Sequence, residues 1–366
     1  MSERENAGGA EPAAHTVDLL IVGSGAAGMT AALKAADLGA DTLIIEKADH
    51  YGGSTAMSGG VCWVGNNRHM AAAGVADSDD EVLQYLQAIT AEEGSEQHLR
   101  AYRDHSKRMV DWLHEHTHVQ FESLALYTDY YPEAPGGKLG GRSMEPLPFD
   151  GTRLGDDFAT LRRPAASALV LGKFMIKAAL AKRFIAMNLA SLFVMLWLMI
   201  CFAARWPKRA KIGRDPYLTN GNALAARLRM SCKDRDVPLW LNTALRELLV
   251  EGGRVVGAHV VRNGQEMVIR ARKGVVLAAG GFSRNLELRA KHGPAPASVE
   301  WTAGNETNMG DGIIAGEQLG AALALMDEAW WTPTTQYPGA KTGWVLVVEK
   351  SLPGGIFVNG RGERFC

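Results

Sequence analysis

The sequence predicts an α/β fold built on a parallel β-sheet, and three observations lead to this prediction. Residues 17–22 form an apolar run that is bounded by glycine and too short for a helix, which indicates a buried strand. A glycine-rich turn and an alanine-rich helix, residues 26–38, follow at once, and the helix is predicted to end at Gly39. Residues 42–45 are a second apolar run, which completes a strand–helix–strand unit.

The turn carries the glycine spacing of dinucleotide-binding sites. Its first glycine makes the tight turn, the second lets the backbone approach a pyrophosphate, and the third packs the helix against the strand. The amino end of the helix directs free amides and a positive dipole at that pyrophosphate. The predicted cofactor-binding residues of the turn are Gly23, Ser24, Gly25, Ala26, Ala27 and Gly28.

Glu46 closes the second strand about 20 residues beyond the turn, where a carboxylate accepts the hydroxyls of an adenosine ribose. The competing interpretations are a glycine turn that only joins a strand to a helix, and a solvated carboxylate at the strand end. The complete unit favours the dinucleotide site.

A loop of small residues at positions 52–60 indicates that the dinucleotide is FAD. FAD must lay its ribityl chain and flavin across the sheet, and small residues let backbone amides and hydroxyls reach that chain. The predicted contacts in this region are Lys47, Gly53, Ser54, Thr55, Ser58, Gly59 and Gly60.

At this loop the sequence resembles the FAD-dependent family of fumarate reductase and succinate dehydrogenase flavoproteins, and it is most similar to the 3-ketosteroid dehydrogenase branch. The most specific stretch is GGSTAMSGGVCWVGNN at residues 52–67, and WTAGN, NMGDG and MDEAWWTP at residues 301–333 resemble the same branch. The resemblance implies a Rossmann-like FAD-binding domain of the glutathione-reductase type. No histidine lies between Tyr51 and Gly60, so we expect FAD to be held without the histidyl link of succinate dehydrogenases.

Composition excludes several other classes of protein. A chain of 366 residues is long enough for two domains, and a net charge of −1 without a basic stripe argues against nucleic-acid binding. The cysteines have no metal-type spacing, which favours a reducing compartment and argues against zinc; they are Cys62, Cys201, Cys232 and Cys366.

We predict five segments along the chain. They are a disordered lead (1–15), the first part of the FAD-binding domain (16–149), a hydrophobic helical insertion (150–214), the second part of the FAD-binding domain (215–328) and the start of an incomplete capping domain (329–366). The resembled family continues for about another domain's length, so we expect a truncated chain.

Residues 78–116 have the apolar spacing of two amphipathic helices. His114 and His116 in this stretch are two residues apart and face different sides of a helix, so solvated histidines are favoured over metal ligands and no metal is predicted.

A loop at residues 127–137 is indicated by its prolines and glycines. Tyrosine hydroxyls on such a loop can donate hydrogen bonds or carry protons in a pocket. In the resembled branch a tyrosine of this region lines the active site, and Tyr130 lies at what looks like the matching position. Tyr131 is the alternative, and simple packing of the rings is the competing interpretation.

Residues 185–204 have the length and apolarity of a membrane span, with basic residues on both sides. A single crossing would separate two halves of one domain, so the alternatives are a helix in the membrane interface and a buried core helix. Tryptophans and cations at the ends favour peripheral contact of a cytoplasmic protein with the inner face of the membrane. Residues 168–181 are predicted to form a second helix of the insertion.

The second half of the chain is predicted to return to the sheet. We predict a helix at 221–230 and, after it, a β-meander. The strands of the meander are 239–241 with its continuation at 243–249, and 254–261. A second buried strand at 274–281 runs into small residues beside the dinucleotide, with Ala279 and Gly280 as predicted contacts.

Two further cofactor contacts are predicted in this half. In the resembled family the backbone near Leu245 meets the adenine ring. Asp311 stands at the start of a helix predicted at 313–320, where it either caps that helix or holds a flavin hydroxyl.

The resemblance implies an enzyme that desaturates a lipophilic substrate, a 3-ketosteroid or a similar ketone, next to its carbonyl group. Because the further catalytic tyrosines would lie beyond residue 366, we expect little or no turnover by this chain. The rivals are a fumarate-type enoate reductase, which Thr332 before Pro333 disfavours, and a non-catalytic membrane-associated remnant. The residues do not identify the exact substrate or the electron acceptor.

Overall fold

The computed structural model describes residues 14–90, 94–177, 179–180, 189–336, 338–339, 342–346 and 355–364. Residues 1–13 of the predicted lead and residues 185–188 of the predicted apolar segment lie outside the described residues. The described α-helices are α1 (Ala26–Asp37), α2 (Gly53–Met57), α3 (Asp79–Thr90), α4 (Glu96–His116), α5 (Leu189–Ala204), α6 (Trp206–Ile212), α7 (Asn220–Lys233), α8 (Leu286–His292) and α9 (Asp311–Gln318).

The described strands include six that form the main sheet and nine that form small two- and three-stranded sheets. They are β1 (Ala14–Val22), β2 (Thr42–Ile45), β3 (Cys62–Trp63), β4 (Phe121–Ser123), β5 (Ser143–Pro146), β6 (Phe149–Asp150), β7 (Leu169–Val170), β8 (Phe174–Met175), β9 (Tyr217–Leu218), β10 (Leu239–Trp240), β11 (Thr243–Glu251), β12 (Arg254–Arg262), β13 (Gln265–Leu277), β14 (Thr334–Thr335) and β15 (Trp344–Val345).

The main sheet has the strand order β10-β2-β1-β13-β12-β11. The pairs β10–β2, β2–β1 and β1–β13 are parallel, whereas β13–β12 and β12–β11 are antiparallel. The predicted α/β fold with a parallel sheet and a β-meander is therefore confirmed. The prediction that 243–249 continues strand 239–241 is wrong, because β10 and β11 lie at opposite edges of the sheet.

Both faces of the sheet are covered, as the continuous apolar runs of its parallel strands require. Side chains alternate between the faces. Ile21 and Ile44 pack on one face with Leu33 of α1, while Leu20 and Leu43 pack on the other with the meander. Burial of each such side chain stabilises the fold by about 1.5–3 kcal/mol, so the alternation fixes which strand ends meet at the glycine turn.

Helix α7 packs closely against the loop of small residues. A Cβ atom added at Gly221 would lie 1.8 Å from the carbonyl oxygen of Thr55, and one added at Gly60 would lie 2.6 Å from the backbone of Asn220. The glycines of both segments are therefore needed for this approach, and α7 is the support on which the loop rests.

Three further predictions about elements need correction. Strand β1 begins at Ala14, two residues before the predicted domain start. The strand predicted at 274–281 is the end of β13, which begins earlier, at Gln265, and ends at Leu277, so residues 278–281 lie beyond the strand. The predicted helix at 168–181 is wrong over its first part, where β7 and β8 form a hairpin; Leu171 and Gly172 make its turn with φ of 52° and 66°.

The apolar segment forms a helix that packs little against the rest of the molecule. In α5 Ser191 is the buried residue, and seven large apolar side chains of this helix are exposed: Leu189, Leu192, Phe193, Leu196, Trp197, Met199 and Ile200. Among the described residues no single helix is long and apolar enough to cross a membrane. The pair α5 and α6, which is bent by 54°, together has the length and composition of a membrane span.

The two predicted amphipathic helices are present as α3 and α4. Val82 and Leu86 of α3 and Val110 and Leu113 of α4 are buried. Within the described parts of the chain, no group of three or more His, Cys, Asp or Glu side chains is placed to hold a metal ion.

Candidate functional site

A groove of about 250 Å³ lies at the carboxyl ends of β1 and β2, where open α/β sheets bind ligands. The predicted residues that line it come from six separate stretches of the chain. They are Gly23, Ser24, Gly25, Ala26, Ala27, Glu46, Lys47, Gly53, Ser54, Thr55, Leu245, Ala279, Gly280 and Asp311.

The three glycines of the turn have different surroundings. Gly23 has φ of 108°, and a Cβ atom there would lie 2.3 Å from the carbonyl oxygen of Ala278. At Gly28 a Cβ atom would lie 2.0 Å from the carbonyl oxygen of Gly23. Gly25, at the N-cap of α1, has only the hydroxyl of Thr55 within 4 Å of such a Cβ. The first and third glycines thus serve the fold, and the second leaves the groove open.

Glu46 is buried, with 8% of its surface exposed, and both carboxylate oxygens accept hydrogen bonds. The amide and hydroxyl of Ser24 donate to Oε2 at 3.2 and 2.6 Å, and the amide of Ala48 donates to Oε1 at 3.0 Å. These donors hold the carboxylate in the wall of the groove. Oε1 accepts one of these bonds and has a further lone pair with which it can accept a ribose hydroxyl.

The loop of small residues is tied to the glycine turn by side-chain hydroxyls. The amide of Ala26 donates to Thr55 Oγ1 at 3.0 Å, and the amide of Gly52 donates to Ser24 Oγ at 3.0 Å. The first of these bonds takes one of the amides that a helix start leaves free.

Two polar contacts join opposite walls of the groove. Asn308 Nδ2 donates to Ser54 Oγ at 3.0 Å, and Lys47 Nζ forms an ion pair with Asp311. The N-cap of α9 is Gly310, and no side-chain cap hydrogen bond is present there, so the capping alternative for Asp311 is wrong.

Several lining residues were missed by the sequence predictions. They are Val22, Ile45, Thr243, Ala278, Asn305, Thr307 and Asn308. Asn305 is buried, with 3% of its surface exposed, and its Nδ2 donates to the hydroxyl of Thr307 at 2.9 Å. The polar run directly before Met309 and Gly310 was the available signal, because polar residues beside a glycine turn commonly serve backbone or ligand.

Six predicted residues do not line the groove. Gly28 packs within α1, and Ser58, Gly59 and Gly60 shape the loop beside α7. Tyr130 and Tyr131 are 70% and 55% exposed on a separate loop. Their contact with a substrate stays a prediction.

The donor set of the groove fits an adenine dinucleotide. Gly25 leaves space at the start of α1, where amides and the helix dipole favour a pyrophosphate, and Glu46 is fixed at the end of β2 for a ribose. A family model described as an FAD binding domain matches residues 18–366. The chain belongs to this FAD-binding family. FAD, the predicted cofactor, is confirmed by this membership.

Members of the FAD-binding family that resemble this chain include steroid dehydrogenases. A 3-oxosteroid 1-dehydrogenase of Mycolicibacterium smegmatis is 42% identical over 357 residues, which are 95% of this chain and 61% of that protein. The crystal structure of 3-ketosteroid delta1-dehydrogenase from Sterolibacterium denitrificans has a TM-score of 0.90 and 42% identity, covering 96% of this chain and 63% of that one. The resemblance inferred from the sequence is confirmed.

The wider FAD-binding family shares the fold at lower identity. A flavocytochrome c3 fumarate reductase in its open conformation has a TM-score of 0.55 at 21% identity and covers 84% of this chain. The chain spans about three fifths of the length of the two steroid dehydrogenases.

Proposed function

We propose that the protein is an FAD-dependent oxidoreductase that desaturates a 3-ketosteroid-like substrate next to its ketone. The observation that supports this most is the 42% identity to a 3-oxosteroid 1-dehydrogenase across 95% of the chain. FAD, when bound, supplies a hydride acceptor.

Tyr130 is proposed to line the substrate site, with Tyr131 as the alternative. In the implied reaction a hydrogen bond from a tyrosine hydroxyl to the ketone oxygen draws electrons from the carbonyl group and acidifies the neighbouring carbon. The groove residues hold the cofactor, and Glu46 and Gly25 fix its adenosine diphosphate half. We assign no base for proton removal among the described residues.

The test uses the purified 366-residue chain loaded with FAD. We expect flavin absorbance in the purified protein and a change of that absorbance when 1,4-androstadiene-3,17-dione, the steroid bound in the Sterolibacterium structure, is added. A spectral response to fumarate instead of steroid would support the enoate reductase. A colourless protein that does not take up FAD would support the non-catalytic remnant.

We also predict that this chain shows little or no turnover, because a single hydroxyl contact supplies only part of the required acid–base catalysis. Dye-coupled assays with a saturated 3-ketosteroid measure this turnover. Sustained steroid-dependent dye reduction, with a product lacking two hydrogens, would contradict this expectation without contradicting the proposed reaction.

We further propose that α5 and α6 make peripheral contact with the cytoplasmic face of a membrane. Support comes from the exposed apolar side chains of α5, among them Phe193 at 67% and Trp197 at 63%, and from the exposed cations Lys208 and Lys211 of α6. A helix of this kind lies in the interface, with its apolar residues among the acyl chains and its cations at anionic headgroups.

Sedimentation with phosphatidylglycerol vesicles tests this contact. The double variant Leu196→Gln with Trp197→Gln should bind at least about tenfold more weakly, since each buried methylene contributes about 0.8 kcal/mol. The matched control is Leu139→Gln, which alters a leucine that is 74% exposed elsewhere. Equal sedimentation of the double variant and the control would exclude α5 as the contact.

A further inference from the structure

Three buried charges outside the groove, those of Asp77, Asp129 and Arg142, form a cluster that FAD binding does not explain. The side chains of Arg142 and Asp77 are 0% exposed and that of Asp129 is 1% exposed. Arg142 donates through Nε and Nη2 to the two oxygens of Asp77, each at 2.8 Å, and through Nη1 to Asp129 Oδ2 at 3.0 Å. Burying such ions costs several kcal/mol each, and an apolar cluster of similar volume often stabilises a fold as well or better.

Aromatic side chains fix the plane of the guanidinium group. The rings of Trp63 and Tyr85 lie 5.6 and 5.4 Å from Arg142 Cζ. Trp63 Nε1 also donates to Asp129 Oδ1 at 2.7 Å. Both oxygens of Asp129 are therefore held by donors, and its carboxylate has one orientation.

Asp129 directly precedes Tyr130 and closes the base of the tyrosine loop. Its amide donates to the carbonyl oxygen of Lys138 at 3.0 Å, and the amide of Lys138 donates to Asp129 Oδ2 at 2.9 Å. On the other side, the amide of Tyr131 donates to the hydroxyl of Tyr85 at 3.3 Å. The main chain on both sides of Tyr130 is thus fixed, while its ring is 70% exposed.

We propose that Asp129, which Arg142 holds in one orientation, is a positioning residue that fixes the main chain at Tyr130 so that the tyrosine hydroxyl is presented to the substrate. A fixed base and an exposed ring are the features expected of a group that is placed for a ligand before the ligand binds. The identity of that ligand rests on the proposed function, whereas the fixed position of Tyr130 does not.

The test compares Asp129→Asn with Asp77→Asn in the FAD-loaded protein containing 3-fluorotyrosine. Both substitutions remove one buried carboxylate from the same arginine, but only Asp129 adjoins the tyrosine loop. Fluorine resonances of Tyr130 and Tyr131 are assigned with Tyr130→Phe and Tyr131→Phe. We expect Asp129→Asn to shift or broaden the resonance of Tyr130, and Asp77→Asn to leave it unchanged.

Equal effects of the two variants on the Tyr130 resonance, or no effect of either, would overturn the proposal. If Asp129→Asn does not fold, Trp63→Phe serves in its place, because it keeps a ring beside Arg142 and removes a donor to Asp129. A shifted or broadened Tyr130 resonance in Trp63→Phe supports the proposal, and an unchanged one overturns it.

Steroid titration separates this inference from the proposed function. With 1,4-androstadiene-3,17-dione as the probe, we expect about fivefold weaker binding to Asp129→Asn than to Asp77→Asn, the worth of about one hydrogen bond. If the steroid leaves the Tyr130 resonance of the unsubstituted protein unchanged, the proposed substrate contact is wrong. The comparison of the two variants without steroid still decides whether Asp129 fixes Tyr130.

Discussion

At the level of single residues, Gly23 and Gly25 stand in the same turn, yet a methyl group would meet different surroundings at each. Gly23 needs a positive φ and lies against the backbone of Ala278, so a side chain there strains the strand ends. Gly25 has φ of −71° and ψ of −177°, a conformation that alanine adopts freely. Its lack of a side chain therefore serves the ligand.

We predict that Gly25→Ala separates folding from cofactor binding. The free energy of unfolding without FAD should change by less than about 1 kcal/mol, as for an alanine at a helix N-cap. FAD affinity should fall at least about tenfold, because a methyl group occupies the place of the pyrophosphate. Urea unfolding and flavin titration measure the two quantities.

Gly23→Ala is the contrasting variant, and it should destabilise the protein even without FAD. The cost combines the positive φ with a 2.3 Å contact that only movement of the backbone relieves. Unchanged FAD affinity in Gly25→Ala would mean that the pyrophosphate does not approach this turn.

Glu46→Gln should weaken FAD binding by about tenfold. The amide that replaces one carboxylate oxygen cannot accept a ribose hydroxyl, and a hydrogen bond to a charged group contributes about 1.5–3 kcal/mol. Ser24→Ala is the control, because it removes a donor to Glu46 but keeps the carboxylate. If titrations show that Glu46→Gln binds FAD as tightly as Ser24→Ala does, Glu46 serves the fold alone.

The glycine turn and Glu46 were predictable because a local pattern of strand, turn and helix places them. Asn308 was not, because its contact with Ser54 joins residues 254 positions apart. The ion pair of Lys47 with Asp311 spans 264 positions, and the sequence offered only the local alternative of a helix cap. Contacts between residues so far apart in the sequence depend on how the whole sheet assembles.

At the level of elements, Gly221→Ala tests how α7 supports the loop of small residues. Helix propensity alone would make alanine stabilising by about 0.5–1 kcal/mol. The 1.8 Å approach of a Cβ atom to the carbonyl oxygen of Thr55 predicts the opposite sign, with loss of stability and of FAD. Thermal unfolding with and without FAD gives the answer.

Gly316→Ala in α9 is the matched control for that variant. A Cβ atom there makes an ordinary 3.6 Å contact with Ala321, so the usual stabilisation by alanine is expected. Should Gly221→Ala stabilise the protein as Gly316→Ala does, α7 and the loop are less tightly packed than described.

Long periodic elements were predictable, whereas short ones were not. The apolar run of α5 and the amphipathic helical spacing of α3 and α4 are strong local signals, and all three helices are present. The hairpin of β7 and β8 was taken for a helix because its apolar residues have no clear period and Leu171 adopts a positive φ that its type rarely shows. The predicted division into domains stays a prediction.

At the level of the whole molecule, the buried charges couple stability to pH. Burial alone would raise the pKa of Asp77, but hydrogen bonds from Arg142 and from the amides of Asn66 and Ser78 outweigh it. The pKa therefore lies below its usual value of 3.8. A lowered pKa stabilises the fold fully above the unfolded-state pKa, and this contribution is lost as pH falls through the folded-state value.

We predict that the free energy of unfolding falls more steeply between about pH 5 and pH 2 in the unsubstituted protein than in Asp77→Asn. At neutral pH the variant should be less stable by about 3 kcal/mol, since Arg142 loses a buried partner. Urea unfolding over this pH range measures both effects. Parallel pH profiles would show that Asp77 does not titrate with unfolding.

Asp18 lies opposite a break in strand pairing that has consequences for the far end of the sheet. Val17 pairs with Ala271 but Leu19 pairs with Gly274, so β13 carries a bulge there. Asp18 forms ion pairs with both bulged residues, Arg272 at 2.7 Å and Lys273 at 3.3 Å. Past the bulge every backbone position is offset, and this offset brings the carbonyl oxygen of Ala278 so close to position 23 that a Cβ atom does not fit there. The carboxylate of Asp18 thus helps to set the register of β13 against β1, several residues away from the wall of the cofactor groove. A shift of β13 by one residue would move that wall out of line without changing any residue in it.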